Sequence, residues 1–280
     1  LDRTPPAHER DVLKGVKKGI GKNDKLLLWS GGLYNWFDPK TLITAVAMLS
    51  ERHDNVKLFF QGTKHPHPGV PEMAIVAESR ALAQELGMLE SHVFFNDSWV
   101  DYADRQNYLT EADAGVSTHF AHVETTFSFR TRILDYLWAE LPMVVTEGDH
   151  FAELVATEKL GVVVPSGDVA ALEAALEKVL FDEKFIATAR RNIRKVRERY
   201  YWARALKPLL DFVDDPRHAS DLLASGVVKS GGAVGSALGR VARVRKRGLR
   251  HDIGLVFHYL ENGGPKVVMK KVQTRLKRAR

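Results

Sequence analysis

Six short apolar runs, each followed by a stretch of helical periodicity, constrain this 280-residue chain more than any other feature. The runs are Lys25–Trp29, Val56–Gln61, His92–Phe95, Ala114–Thr118, Met143–Thr146 and Val162–Val164. Lys25–Trp29 and Val56–Gln61 are nearly unbroken by polar residues, as expected of strands covered on both faces. Helices are expected over Pro39–Ser50, Met73–Leu86, Val100–Leu109, Thr131–Glu140, His150–Glu158 and Val169–Phe181, then over Glu183–Arg197 and Ala203–Phe212. Asp38 is the expected N-cap of the first, with Pro39 at its first helical position. Such alternation dictates an α/β fold, a parallel sheet with helices on both faces. Ligands of these sheets sit beyond the carboxyl ends of the strands. The loops Ser30–Asp38, Asn96–Trp99, His119–Arg130 and Glu147–His150 all follow strands and are expected to gather along one edge.

The absence of cysteine excludes a disulfide scaffold and thiolate metal sites. No run of about 18 apolar residues is present to span a membrane. The net charge of +6 is unevenly spread. Lys229–Arg280 holds 14 Lys and Arg against Asp252 and Glu261, which leaves the body mildly acidic. Lys266–Arg280 places Val267, Val268, Val272 and Leu276 on one helical face among basic residues, the pattern of an interfacial helix. The tail is therefore expected to be helical and basic and to meet an anionic membrane surface. It carries few aromatics and no nucleic-acid motif, so no nucleic-acid partner is expected. Leu1–Asp24 reads as a linker with a short helix over Glu9–Lys18, and residues 214–280 as the tail. Because the sequence opens on Leu, the chain is expected to be the C-terminal part of a longer protein.

The segment His122–Glu147 concentrates the chemistry. It sets Arg130 and Arg132 at a helix start, with Asp135 about one turn later. Unpaired helix N–H groups and guanidinium forks favour phosphate, and an acid one turn on can take sugar hydroxyls, the physics by which acids hold ribose in dinucleotide folds. The arrangement suggests a nucleotide-sugar site. The plain alternatives are an ion pair of either arginine with Glu124 or Asp135, and an Asp135 that faces water. Gly31 and Gly32 would let the backbone approach a phosphate or sugar, or would simply make a tight turn. Glu124 is a candidate contact for a sugar, and His119 or His122 for a sugar or phosphate. No third partner joins these histidines, so no metal is expected. Glu147–His150 reads as an ordinary turn with an Asp cap.

Three segments resemble the C-terminal, donor-binding domain of retaining glycosyltransferases with two Rossmann-like domains, the GT-B architecture of the group 1, family 4-like enzymes. They are Leu28–Lys40, with its glycine turn; Glu124–Thr146, ending in Leu141-Pro142-Met143-Val144-Val145-Thr146; and Gly161–Leu172, GVVVPSGDVAAL. The resemblance covers roughly Lys25–Leu180. It implies transfer of a sugar from a nucleotide diphosphate donor with retention of configuration and without a bound cation. It also implies an N-terminal domain that holds the acceptor, and a fragment that binds donor but turns over little alone. Asn96 and Trp99 fall where the family holds the base, Trp99 by stacking or as plain helix packing. The tail then points to a lipid-linked or polysaccharide acceptor at the inner face of a membrane, for a protein otherwise cytoplasmic. A non-catalytic nucleotide-binding module is the alternative. Two departures stand out. Of the family's pair of Glu, the second falls on Asp135 and the first on Phe127, with Glu124 three residues earlier. The family's Arg and Lys after the first strand are replaced by Gly31-Gly32-Leu33-Tyr34-Asn35-Trp36, so Arg130 and Arg132 are expected to carry that charge. Glu124 and His119 are the candidate catalytic residues, and Gly31, Gly32, Asn96, Trp99, Arg130, Arg132 and Asp135 the candidate donor-binding ones.

Overall fold

The computed structural model describes residues 1–67, 69–219 and 221. All six expected strands form: β1 Lys25–Gly32, β2 Val56–Gly62, β3 Val93–Phe95, β4 Ala114–Ser117, β5 Met143–Thr146 and β6 Gly161–Val164. They make one parallel sheet in the order β3-β2-β1-β4-β5-β6. The order reverses between β1 and β4, the switch point where a crevice opens in such sheets. Alternation along β1 sends Leu27 and Trp29 into one apolar layer and Leu26 and Leu28 into the other. The first layer is closed by α1 (Pro39–Ser50), α2 (Ala74–Glu85) and α7 (Val169–Phe181). The second is closed by α3 (Arg105–Glu111), α5 (Arg132–Trp138), α6 (His150–Glu158) and α8 (Glu183–Val196). A five-residue α4 covers Val123–Phe127, and a short α9 covers Trp202–Ala205.

Local chemistry explains the sharpest boundaries. Asp38, Asp149 and Asp168 cap α1, α6 and α7, accepting from the amides of Thr41, Ala152 and Ala171 at 3.0, 2.8 and 2.9 Å. Other expectations are corrected. No helix forms over Glu9–Lys18. Instead Leu13 and Ile20 enter the second layer, and the Glu111 carboxylate accepts the backbone N–H groups of Val12, Leu13 and Lys14. The expected Val100–Leu109 helix starts only at Arg105. The expected Ala203–Phe212 helix is broken at Leu206, and α10 begins at Lys207. Gly31 and Gly32, expected in a loop, end β1, with Gly32 opposite Gly62 after a bulge beyond Trp29. Gly31 has φ +79°, and a Cβ on Gly62 would lie 2.4 Å from the Gly31 carbonyl oxygen, so only glycine fits there.

Two compact units divide the chain, residues 1–206 and 207–280. In the second, α10 (Lys207–Asp214) carries a Lys207–Asp211 ion pair at 2.8 Å. The tail expected over Lys229–Arg280 lies outside the described residues. Among the described residues no helix is long and apolar enough to cross a membrane.

Candidate functional site

The crevice is held open by one tyrosine. β1 and β4 pair only at Leu27–Ala114 and Leu28–Gly115. Beyond that point Tyr136, fully buried on α5, pushes its hydroxyl between the strands. It accepts from the Ser30 N–H at 3.1 Å and lies 2.9 Å from the carbonyls of both Leu28 and Val116, which share its single proton. These groups would otherwise be orphaned where the ladder parts. Gly115 makes room for the ring, since a Cβ there would lie 2.5 Å from it. The wedge was not legible in the sequence, where Tyr136 reads as one more apolar helix position.

Two cavities share the glycines at the end of β1. One, of about 410 Å³, runs over the ends of β1, β2 and β3 and is lined by Gly31, Gly32, Lys64, Trp99, Arg105 and Asp135 among others. The other, of about 490 Å³, lies at the switch point and is lined by Gly32, Tyr34, Trp36, Glu124, Arg132 and Asp135 among others. Gly31, Gly32, Tyr34 and Asp135 line both, so the two form one cleft.

Arg130 and Arg132 both reach this cleft, in different states. Arg130, 6% exposed, grips Glu124 with two parallel bonds of 2.6 and 2.7 Å. Its Nε lies 3.4 Å from Oδ2 of the buried Asp149, and Nε2 of the buried His119 lies 3.4 Å from the same oxygen. Burial alone would raise the Asp149 pKa. The His119 side chain, the Ala152 N–H and the Arg130 charge outweigh it and hold the carboxyl below its usual range. Arg132 is 8% exposed and donates to the Gly32 carbonyl at 2.8 Å. Its guanidinium lies 4.2 and 4.4 Å from the rings of Trp29 and Phe37. Among the described residues no carboxylate pairs with it, and its Nη1 is buried without a hydrogen-bond partner. Burial pushes its pKa down to about 10, with the Arg130 charge adding to the effect. A cation so placed is held against its solvation preference and is chemically matched to an anion in the cleft.

Asp135 lines both cavities. Burial raises its pKa, and Arg105, whose Nε lies 3.4 Å away, opposes the rise. Arg105 itself was not singled out from the sequence, because its place beside Asp135 depends on a contact between α3 and α5. Trp99 is exposed on the wall of the first cavity. Asn96 is not among the lining residues. Its amide donates to the carbonyls of Gln61 and Ser98 at 3.0 and 2.8 Å and so builds the loop that carries Trp99. His119 lies below the cleft floor, within 3.5 Å of the Thr125 hydroxyl. His122 lines a separate shallow pocket with Thr125 and Glu147. Phe127 is 84% exposed on α4.

The helix N-terminus contributes less than the sequence suggests. α5 begins at Arg132, and the amides of Ile133 and Leu134 already donate to the carbonyls of Arg130 and Thr131, each at 3.0 Å. Side-chain guanidinium, rather than free helix N–H, supplies the positive field. Among the described residues one trio, His8, Asp11 and Glu111, brings possible metal-ligand atoms within 4.8 Å of one another. It lines neither cavity, and Glu111 is already committed to backbone amides.

A doubly wound sheet, a glycine-floored crevice at its switch point and a buried guanidinium beside it define a Rossmann-like α/β domain with a cleft at the carboxyl edge of its strands. The chain belongs to the family described as glycosyl transferases group 1, whose model matches residues 24–182. It is 24% identical over 195 residues to the putative glycosyltransferase EpsD of Bacillus subtilis (strain 168), covering 70% of this chain and 46% of that protein. Two solved structures share its fold. WaaG, a glycosyltransferase involved in lipopolysaccharide biosynthesis, superposes with a TM-score of 0.54 at 21% identity, over 76% of this chain and 56% of WaaG. HepE of Anabaena, solved with UDP and glucose, superposes with a TM-score of 0.57 at 18% identity, over 69% of this chain and 48% of HepE. The chain thus spans about half the length of the relatives it matches.

Proposed function

We propose that this chain is the donor-binding half of a retaining glycosyltransferase that takes a nucleoside diphosphate hexose. The observation that carries the reading is Arg132, a buried guanidinium set beside Gly31 and Gly32, with an orphaned Nη1 and, among the described residues, no acid partner. In transfer the acceptor hydroxyl oxygen bonds the anomeric carbon as the bond from that carbon to a diphosphate oxygen breaks; the electron pair stays on the diphosphate oxygen, which can take the proton the hydroxyl loses. A fixed positive group beside the cleft stabilises the charge that builds there, so the reaction proposed needs no metal. In this reading the nucleoside lies over β1–β3, with Trp99 at the base and Asp135 at the ribose. The diphosphate meets the glycines and Arg132, and the sugar lies toward Glu124, which Arg130 holds in place. HepE, solved with UDP and with UDP-glucose, supports a uridine nucleotide as the first donor to try.

A separate N-terminal domain holding the acceptor completes the proposal, as does an anionic membrane surface met by the Lys229–Arg280 tail at the cytoplasmic face. The acceptor is then a lipid-linked sugar or a polysaccharide, and the chain alone binds donor with little turnover. A non-catalytic nucleotide-binding module is the second reading, favoured by one observation: Glu124 is bound bidentately to Arg130, while an exposed Phe127 stands at the other acidic position.

Thermal unfolding with UDP, GDP, dTDP, CDP and ADP, on the wild type and on Arg132→Ala, tests the site. At about 100 times the dissociation constant, a bound nucleotide stabilises by about 2.7 kcal/mol. Selective stabilisation that falls in Arg132→Ala to between about 0.4 and about 1.4 kcal/mol is the expected result. No shift with any of the five overturns a preformed donor site in this chain.

A further inference from the structure

We propose that Tyr34 and Trp36 form an aromatic platform that seats the pyranose ring of the transferred sugar and so helps select the donor. This rests on the reading of the cleft as a nucleotide-sugar site. The two rings stack nearly parallel, with centroids 4.9 Å apart and planes 6° apart. They remain 40% and 38% exposed, and both line the switch-point cavity with Arg132, Glu124 and Asp135. Leu33 and Phe37 at the ends of the loop turn into the core, while Tyr34 and Trp36 between them stay exposed in the cleft. Two large rings left half-exposed at the mouth of a cavity that also holds charged side chains mark a surface made for contact.

The platform is held in place. The Asn35 side chain accepts from the Ile75 N–H at 3.1 Å, and the Phe37 N–H donates to the Tyr34 carbonyl at 2.9 Å. Phe37 stands edge-on to Trp29 at 5.3 Å and also lies beneath Arg132. The Tyr34 ring rests over Gly32, where an added Cβ would lie 2.9 Å from it. The anion-binding guanidinium and the aromatic pair therefore share one rigid base. A pyranose offers C–H faces to aromatic rings and a hydroxyl rim to carboxylates. This cavity presents both, with Glu124 supplying the carboxylate.

The test compares the nucleoside diphosphate the chain prefers with its glucose conjugate and with free glucose, by titration on the whole chain. The variants are Trp36→Ala, Tyr34→Ala and Trp36→Phe, each checked by its unfolding curve. The conjugate is expected to lose about tenfold in affinity in Trp36→Ala, with a similar loss in Tyr34→Ala, while the bare diphosphate changes by less than about twofold. Trp36→Phe should restore most of the loss, and free glucose should bind neither the wild type nor any variant measurably. Equal losses for diphosphate and conjugate, or no loss for either, overturn the platform while leaving the nucleotide site standing. Loss of free-glucose binding with an unchanged conjugate assigns the rings to a sugar other than the donor's and also overturns it. If the wild type binds none of the diphosphates, the nucleotide-sugar reading falls first and the platform with it.

Discussion

Arg130 and Arg132 are buried to nearly the same degree, each keeps one buried nitrogen without a hydrogen bond and each lies over Phe37, yet their charge partners differ. Arg130 closes a chain of charge that runs through Glu124, Asp149 and His119. Arg132 has a carbonyl, two aromatic faces and an orphaned Nη1. A buried charge whose field is cancelled inside the protein belongs to the framework. One whose field is not cancelled leaves its attraction for something that arrives. The comparison separates the arginine that builds the cleft from the one that waits in it.

The largest expected effect is on Arg130. Arg130→Ala strands the buried Asp149 carboxylate and frees Glu124, and should cost about 3 kcal/mol of stability. Denaturant unfolding measures it, and a cost below about 1 kcal/mol would erase the distinction between the two arginines. Arg132→Met should change stability by no more than about 1 kcal/mol, because it removes a desolvated cation that has no acid partner. Affinity for the nucleoside diphosphate should instead fall by about ten- to a hundredfold, the worth of a charge-assisted hydrogen bond. A variant that unfolds but keeps its affinity would reverse the assignment.

The same comparison shows what a sequence can carry. The strands were legible because each is a short apolar run between turn residues, and the bounds of α1, α6 and α7 because Asp38, Asp149 and Asp168 are local caps. That Arg130, Arg132 and Asp135 share one cleft followed from their place after β4, at the carboxyl edge of the sheet. What was not legible depends on contacts far apart in the chain. Asp149 reads as a helix cap and nothing more, although it also faces Arg130 and His119. The Tyr136 wedge answers backbone groups on two separate strands. Leu1–Asp24 has no periodicity of its own, and its fold is set by Glu111, a side chain at the end of α3. α4 was missed because five residues hold too little pattern to show a period.

The acids extend the contrast to pH. Asp149 has its pKa lowered in the fold, so its stabilising contribution is present above the ordinary carboxylate value of about 3.9 and is lost as pH falls through its depressed value. Asp149→Asn should therefore remove part of the acid-side loss of stability, and should lower stability at neutral pH by disturbing Arg130.

Asp135 should give the smallest effect and the opposite sign. Burial raises its pKa despite Arg105, so the folded state favours its protonated form. That contribution is present below about 3.9 and is lost as pH rises through the raised value. Asp135→Asn should flatten this decline, shifting the neutral-pH unfolding midpoint by no more than about 2 °C. With the preferred nucleotide bound, a ribose hydroxyl donating to the carboxylate would favour its charged form. The decline should then weaken in the wild type and stay unchanged in Asp135→Asn. Unfolding midpoints measured from about pH 3.5 to 7 with and without nucleotide decide it. A nucleotide effect on the decline that is the same in both proteins would remove Asp135 from the ribose, while leaving Arg132 as the group that holds the phosphates.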